Sequence, residues 1–168
     1  GLGFAPDTWD SLVRAMKALG YSEQELFDGG LVRHGRSGGV YDTFRNRLMF
    51  PVIDVRGNVI GFSGRILGDG EPKYMNRPET IVFSKSHNLF ALNLAKKSKC
   101  GYIILAEGNI DVASLHQAGF DSAVASLGTS LTPEQARLLS RYTSEIVIAY
   151  DNDGAGQKAS QRAIGILE

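Results

Sequence analysis

Beyond residue 101 the sequence alternates short apolar runs with helix-like segments, and this alternation constrains the fold more strongly than any other feature. Each apolar run has the composition of a buried strand and leads into a segment typical of a helix. The predicted elements are a strand at 102–107, a helix at 111–118, a strand at 121–126, a helix at 133–142, a strand at 145–150 and a helix from about 155 onward. Strands that alternate with helices pair in parallel through right-handed crossovers, so the sequence predicts an α/β unit with a parallel sheet.

Acidic residues follow the first and third of these predicted strands. Glu107 closes the first strand and Asp111 comes four residues later, while Asp151 and Asp153 follow the third strand. The carboxyl ends of parallel strands meet at one edge of a sheet, where such folds hold ligands. Four carboxylates cannot all stay ionised side by side unless cations separate them. The pattern therefore predicts a divalent metal site with phosphate chemistry at this edge.

Each acidic fragment taken alone has a simpler interpretation. Asp111 is well placed to be the N-cap of a helix, and Asp-x-Asp-Gly is often only a turn. A phosphoaspartyl enzyme with Asp151 as nucleophile would also fit the second fragment, but it leaves Glu107 and Asp111 unexplained. The loop 126–130 could bind a phosphate or could be an ordinary strand-to-helix turn, and the residues alone leave both possibilities open.

The first part of the chain has a different pattern, which predicts a mixed α+β subdomain. Ser22 and Glu25 form a capping-box signature, and Arg56-Gly57-Asn58 suits a hairpin turn. The predicted elements are helices at 6–19, 23–28 and 88–97, a loop or hairpin at 33–40, and strands at 48–55 and 58–63. A polar stretch near 96–101 is the best internal boundary, so we expect domains at 1–99 and 100–168.

A formal net charge of zero conceals an uneven distribution of charge. Residues 1–100 hold 14 Lys and Arg against 10 Asp and Glu, a balance of +4, whereas residues 101–168 hold 4 against 8, a balance of −4. The cations of interest in the first part are Arg45, Arg47, Arg56, Arg65, Lys73, Arg77 and Lys85. This arrangement suits a polyanion-binding surface beside a metal site, although a solvated sheet face would give a similar pattern.

Composition also narrows the cellular setting. Cys100 is the single cysteine, so no disulfide can form within the chain and we expect a reducing cytoplasm. No apolar stretch approaches the roughly 20 residues of a membrane-spanning helix, and the first residues lack the layout of a signal peptide.

Ordered fragments along nearly the whole chain resemble the RNA-polymerase core of bacterial-type DNA primases. In the first part they are Ala5-Pro6, Trp9-Asp10, Tyr41-Asp42-x-Phe44-Arg45-x-Arg47-x-Met49-Phe50-Pro51, Gly61-Phe62-x-Gly64-Arg65, Pro72-Lys73-Tyr74-x-Asn76-x-Pro78-Glu79-Thr80 and Phe83-x-Lys85. In the second part they are Glu107-Gly108-x-x-Asp111-Val112, Ala123-Val124-Ala125-Ser126-Leu127-Gly128-Thr129 and Tyr150-Asp151-x-Asp153-x-Ala155-Gly156. This second set resembles the TOPRIM fold, a Rossmann-like βαβαβα module shared by primases and topoisomerases.

The resemblance implies residue roles. Catalytic metal, Mg²⁺ or Mn²⁺, would be held by Glu107, Asp111, Asp151 and Asp153. Nucleic acid or nucleoside triphosphate would be bound by Arg45, Arg47, Arg65, Lys73, Asn76, Lys85, Gly128 and Thr129.

The same resemblance implies DNA-templated synthesis of short RNA primers for replication by two-metal nucleotidyl transfer. Its partners would be single-stranded DNA template, nucleoside triphosphates, an RNA–DNA hybrid and, through regions outside this sequence, the replicative helicase. We expect a bacterial cytoplasmic monomer that works at the replication fork without a membrane. We also expect a fragment that is truncated at the carboxyl side of its TOPRIM part and carries no zinc site.

Two alternatives share parts of this pattern. A TOPRIM nuclease or topoisomerase module would use the same acidic edge to cut strands, but the basic motifs at 41–85 argue against it. A non-catalytic nucleic-acid-binding module would keep the fold and tolerate Asp151→Ala.

Overall fold

The computed structural model describes residues 1–36, 38–76, 79–80, 82–128 and 130–168. Contacts divide the chain into two compact units. Unit 1 comprises Gly1–Pro51 and Gly61–Val82, and unit 2 comprises Val52–Ile60 and Phe83–Glu168. Val52–Ile60, which contains a hairpin turn, is thus an insertion from unit 1 into unit 2, and the rest of unit 2 follows residue 82.

The helices of unit 1 are short because their ends are fixed by specific polar contacts. Helix α1 spans Ser11–Ala18, and the carboxylate of Asp42 caps its start by accepting hydrogen bonds from the backbone N–H groups of Leu12 and Val13, at 2.8 and 3.0 Å. The predicted start at residue 6 is therefore wrong, because α1 begins at Ser11. Before it, Gly3–Ala5 forms strand β1. Helix α2 spans Glu23–Asp28, and its predicted capping box is confirmed.

Unit 1 contains antiparallel sheet structure. The strands that follow β1 are β2 (Val32–His34), β3 (Val40–Asp42), β4 (Arg47–Ile53), β5 (Val59–Ile66) and β6 (Tyr74–Asn76). One sheet has the order β1-β4-β5-β6, with β6 at its edge, and β2 pairs with β3 as the predicted hairpin. The turn between β4 and β5, with its flanking residues, belongs to unit 2.

The third predicted helix is shorter than expected. Helix α3 covers only Leu92–Ala95 rather than 88–97. The cause lies just before it: Phe90 is extended and its N–H donates to the carbonyl of Ala125 at 2.8 Å, and Ala91 has a left-handed φ of 63°. Helical backbone cannot continue backward through such a residue. Lys85–His87 forms a single 3-10 turn instead.

The parallel sheet of unit 2 is confirmed. Its strands are β7 (Ile103–Ala106), β8 (Ala123–Ala125) and β9 (Ile146–Ala149), in the order β8-β7-β9. The intervening helices are α4 (Asn109–Gln117), α5 (Pro133–Leu139) and α6 (Gly154–Leu167). The predicted start of α5 is correct, with Thr132 as N-cap and Pro133 at the first position. The α/β expectation and the mixed α+β first part therefore both hold.

Apolar side chains on both faces of β7 form the core of unit 2. Leu105 packs with Val124 and Leu139 on one face, and Ile104 packs with Val112 and Ala123 on the other. A strand buried on both faces must be apolar throughout, which explains its continuous apolar sequence. None of the helices in the described part of the chain is long and apolar enough to cross a membrane.

Candidate functional site

The register of the parallel sheet places the ends of β7 and β9, which are both followed by acidic residues, side by side. Strands β7 and β9 are direct neighbours, and Ala106 pairs with Ala149. Glu107 and Asp151 follow within two residues of that pair. The Oε2 atom of Glu107 accepts a hydrogen bond from the backbone N–H of Asp151 at 3.3 Å, and both side chains are exposed. The pairing of β7 with β9 therefore brings Glu107 and Asp151, two of the predicted site residues, close together.

Asp111 lies in the first turn of α4. Its Oδ2 atom accepts a hydrogen bond from the backbone N–H of Gly108 at 2.9 Å, which stabilises the start of the helix. The prediction that Asp111 is the N-cap is therefore wrong: the N-cap is Gly108, and Asp111 lies three residues later. Because only one carboxylate oxygen makes this bond, capping is compatible with a second role for the other oxygen.

Asp153 is the N-cap of α6. Its Oδ1 atom accepts hydrogen bonds from the backbone N–H groups of Ala155 and Gly156, at 3.0 and 2.7 Å. Gly156 is required for close packing here, because a Cβ at this position would lie 2.0 Å from the carbonyl oxygen of Asp151. The glycine after the acidic pair therefore lets α6 begin directly against the Asp151 backbone.

The pKa of the Tyr150 phenol is sensitive to the negative charge at this edge. Partial burial raises the pKa of its phenol, and the negative charge of Glu107 raises that pKa further. A charge that acts on a half-buried neighbour is less screened than one that faces open water. The Glu107 carboxylate is thus positioned to attract a cation.

A cavity of about 330 Å³ opens at the same edge. It combines Glu107 with hydroxyl groups and one cation, and its lining residues are Glu107, Ser126, Gly128, Ser130, Leu131, Tyr150, Ala155, Ala159 and Arg162. Ser126 and Gly128 belong to the loop that was predicted from the sequence, whereas Arg162 was not predicted. The available signal was the spacing of Ala155, Ala159 and Arg162, which places them on one face of a helix.

Within the described residues, no three His, Cys, Asp or Glu side chains are grouped closely enough to form a metal-binding cluster. The donor chemistry nevertheless fits Mg²⁺ or Mn²⁺, since the edge offers hard carboxylate oxygens on adjoining strand ends and helix starts. Glu107, Asp111, Asp151 and Asp153 are all exposed, so their side chains can change rotamer rapidly. All four residues follow the ends of β7 and β9, and the carboxylates of Glu107, Asp111 and Asp153 accept hydrogen bonds from backbone N–H groups.

The predicted phosphate-binding loop is only partly described. Gly128 is exposed and has a left-handed φ of 72°, and it lines the cavity together with Ser130. Thr129, which was predicted to bind nucleotide, lies outside the described residues.

Aromatic rings support two of the predicted basic residues in unit 1. The guanidinium of Arg45 lies 4.2 Å from the ring centroid of Trp9 and 5.3 Å from that of Tyr41. The guanidinium of Arg65 lies 5.9 Å from the ring of Tyr74. Stacking of this kind holds a charged group in a defined orientation.

The remaining predicted binding residues differ in their surroundings. Lys73 is exposed and Asn76 is half-buried on the edge strand β6. Lys85 belongs to unit 2, where its backbone carbonyl accepts a hydrogen bond from Nε2 of Gln135 at 2.8 Å. Arg47 is buried, with only 4% of its surface exposed, and its Nη1 atom faces backbone carbonyls.

Comparison with known families decides what kind of chain this is. A family model described as DNA primase catalytic core, N-terminal domain, matches residues 1–96, and a model described as Toprim-like matches residues 104–168. The chain belongs to the DNA primase catalytic core family. The resemblance to bacterial-type DNA primases and the TOPRIM character of the second part are thereby confirmed.

Individual relatives agree with this assignment. The chain is 53% identical over 168 residues to a DNA primase from Clostridium acetobutylicum, covering 99% of this chain and 28% of the relative. It matches the zinc-binding and RNA polymerase domains of Aquifex aeolicus primase with a TM-score of 0.91 and 40% identity, covering 99% of this chain and 41% of that one. It also matches a primase catalytic domain bound to single-stranded DNA with a TM-score of 0.85 and 42% identity, covering 97% and 53%. The chain thus spans less than a third of that curated relative and about half of the DNA-bound catalytic domain.

Proposed function

We propose that this chain is the part of a DNA primase that carries the metal-binding edge, and that the whole protein synthesises RNA primers on single-stranded DNA. The observation that carries the proposal is the coincidence of the primase family match with acidic residues at neighbouring strand ends. The Glu107 carboxylate accepts a hydrogen bond from the backbone N–H of Asp151 where β7 and β9 end, which supports a shared metal site for nucleotidyl transfer.

The proposed metal ligands are Glu107, Asp111, Asp151 and Asp153. A bound Mg²⁺ or Mn²⁺ would supply charge neutralisation at phosphate oxygens and lower the pKa of an attacking hydroxyl. The protein itself contributes the placement of the carboxylates, because two of them also fix the starts of α4 and α6. None of these carboxylates needs to accept a proton from the reacting groups.

The cavity beside Glu107 is the proposed site for the phosphates of the incoming nucleoside triphosphate. Ser126 and Ser130 can donate hydrogen bonds to phosphate oxygens, and Arg162 adds a positive charge. We propose that Gly128 allows the backbone to approach the phosphate closely, with Thr129 as a neighbouring contact.

The proposed contacts to template and nucleotide in the basic part are Arg45, Arg65, Lys73, Asn76 and Lys85. One of the matched solved structures is a primase catalytic domain bound to single-stranded DNA, which supports a template-binding role for this chain. Single-stranded nucleic acid favours cationic side chains interleaved with aromatic rings. Arg45 beside Trp9 and Arg65 beside Tyr74 both provide that combination.

The wider setting is proposed on the family alone. We propose that the whole protein is monomeric, acts in the bacterial cytoplasm and contacts the replicative helicase through regions outside this sequence.

The nuclease or topoisomerase alternative would require only the Toprim-like part. Residues 1–96, however, match the primase model, and no separate observation favours strand cutting. The non-catalytic alternative makes a different prediction at Asp151, which the following experiment includes.

A chimaeric primase tests the proposal. The matching segment of the Clostridium acetobutylicum primase is replaced by this chain, and RNA synthesis is measured on single-stranded DNA with labelled nucleoside triphosphates and Mg²⁺ or Mn²⁺. We expect RNA products from the chimaera and a loss of at least about 100-fold with Asp151→Asn.

The matched control is Asp121→Asn. Asp121 lies before β8, at the opposite end of the same sheet, and its carboxylate accepts a hydrogen bond from Ser98. This variant should retain the rate of the unmodified chimaera. A chimaera whose synthesis is equally fast with and without Asp151→Asn would refute a catalytic role for the acidic edge.

A further inference from the structure

Arg47 differs from the other predicted binding residues because its charge lies inside unit 1. Its exposed fraction is 4%, and burial lowers the pKa of its guanidinium, with a smaller contribution from the positive charge of Arg45. No carboxylate in the described part of the chain lies within ion-pairing distance of it. A buried cation without a counter-ion must be compensated by dipoles.

Backbone carbonyls provide that compensation. The Nη1 atom of Arg47 donates to the carbonyl of Pro72 at 3.0 Å and lies within 3.3 Å of the Gly64 carbonyl and 3.5 Å of the Lys73 carbonyl. The two peptide carbonyls at 72 and 73 belong to the segment that leads into β6. The buried Arg47 side chain thus bonds to the backbone of the segment whose Lys73 side chain is exposed to solvent.

The side chain reaches this segment by crossing the strand between them. Arg47 begins β4, Gly64 lies on β5, and Lys73 immediately precedes β6, in a sheet with the order β4-β5-β6. A Cβ on Gly64 would lie 2.9 Å from Cδ of Arg47 and 3.0 Å from Cδ1 of Phe44. The absence of a side chain at Gly64 therefore leaves the space through which the arginine passes.

The segment is short and lies at the edge of the sheet. Strand β6 is three residues long and pairs with β5, with Tyr74 opposite Arg65. The N–H of Ile66 donates to the carbonyl of Lys73 at 3.0 Å. A short edge strand on its own is easily opened, so added hydrogen bonds from a rigid planar guanidinium have a large effect on its order.

We propose that Arg47 is a positioning residue: it orders the segment 71–76, and thereby Lys73 and Asn76, instead of contacting nucleic acid. The statement about nucleic acid rests on the proposed function, whereas the ordering of the segment does not. Gly64 contributes to this ordering, because its carbonyl accepts a hydrogen bond from Arg47 and its lack of a side chain leaves room for the arginine.

Hydrogen exchange tests the ordering directly. The reporter is the amide of Ile66, which is bonded to the Lys73 carbonyl, and the internal control is the amide of Asp42, which donates to the carbonyl of Trp9 at 2.8 Å. In Arg47→Lys and Arg47→Met we expect exchange at Ile66 to accelerate by about tenfold or more, with little change at Asp42. Lys73→Ala should leave both rates unchanged. Unchanged Ile66 exchange in Arg47→Lys would overturn the inference.

Gly64→Ala is the charge-neutral companion variant. The new methyl group displaces the Arg47 side chain without removing any cation, so Ile66 exchange should accelerate as in Arg47→Lys. Exchange that stays at the wild-type rate in Gly64→Ala would contradict the proposed path of the side chain.

Affinity for single-stranded DNA separates positioning from contact. We expect Arg47→Lys to weaken binding although it keeps the charge, and Arg47→Met to add less than about twofold when Lys73→Ala and Asn76→Ala are already present. Additive losses in the triple variant would mean that Arg47 contacts DNA, and full affinity in Arg47→Lys would mean that order in the segment is not needed for binding. Either result would overturn the inference. If Lys73→Ala leaves affinity unchanged while Arg47→Lys still loosens Ile66, the template-binding role of Lys73 fails and the ordering role of Arg47 stands.

Discussion

Asp153 shows how one carboxylate can serve both the fold and the site. One of its oxygens caps α6 through two backbone N–H groups, and the residue is exposed at the acidic edge. The capping function needs only an acceptor, whereas attraction of a divalent cation needs the negative charge. The two functions can therefore be separated by substitution.

We predict that Asp153→Asn retains stability but binds Mg²⁺ more weakly, because asparagine caps helices about as well as aspartate. Asp153→Ala should lose both, with a cost of about 1 kcal/mol in the free energy of unfolding. Chemical denaturation and calorimetric Mg²⁺ titration measure the two effects. Equal metal affinity in Asp153→Asn and wild type would remove Asp153 from the ligand set.

Single residues also show what sequence reasoning can and cannot supply. The capping box at Ser22 was predictable, because it depends on contacts between residues three apart. The burial of Arg47 was not, because it depends on carbonyls 17 to 26 residues away that only the sheet brings near. Long-range contacts leave little trace in local spacing.

At the scale of elements, the start of α6 is the most constrained feature of the site. Gly156 packs against the backbone of Asp151, and any Cβ there would clash with it. We predict that Gly156→Ala lowers the free energy of unfolding by about 1–3 kcal/mol through overpacking and weakens metal binding by displacing the acidic loop.

Gly165 in the same helix provides the matched comparison. A Cβ at Gly165 would meet no atom within 4 Å, so Gly165→Ala should raise stability by about 0.5–1 kcal/mol. Denaturant unfolding of both variants checks the pair. Similar effects of the two substitutions would show that close approach at Gly156 is unimportant.

The turn between β4 and β5 gives a pH-dependent prediction. The Asn58 backbone N–H holds the pKa of Asp54 below its ordinary value of 3.8, helped by the Asn58 side chain and by the N–H groups of Arg56 and Gly57. A carboxylate with a lowered pKa stabilises the folded state above its unfolded value, and this contribution is lost as pH falls through the folded value. The turn should therefore loosen below about pH 3.8.

Amide NMR of Asn58 across acidic pH measures this loosening, since its N–H donates to Oδ1 of Asp54 at 2.9 Å. In Asp54→Asn the turn should lose this pH dependence. A transition at Asn58 that persists unchanged in that variant would assign it to another group.

At the scale of the whole molecule, most of the predicted nucleic-acid-binding residues and the predicted metal ligands lie in different units. Unit 1 carries most of the predicted cations and unit 2 carries the acidic edge. The uneven charge of residues 1–100 and 101–168 does not carry over to the units, because each unit holds 9 Lys and Arg against 9 Asp and Glu. The parallel sheet and its helix order were predictable from periodicity. The boundaries of α1 and α3 were not, because a distant carboxylate and a left-handed residue determine them.

Template binding should depend strongly on salt. Each phosphate contact made by a cation changes the slope of log affinity against log salt by about 0.7 for a single strand. We predict that Lys73→Ala reduces the slope by about that amount, as measured by fluorescence anisotropy with labelled single-stranded DNA. Lys17→Ala, which removes a cation paired with Glu23, serves as the control and should leave the slope unchanged.

The most direct test of the metal site is paramagnetic broadening by Mn²⁺, followed by NMR on the isotope-labelled chain. We predict that low concentrations of Mn²⁺ broaden the amide signals of residues 107–111 and 151–155 first, and that Glu107→Gln with Asp151→Asn abolishes this broadening. Broadening that centres elsewhere, or that is unaffected by the double substitution, would contradict the assignment of the acidic edge as the metal site.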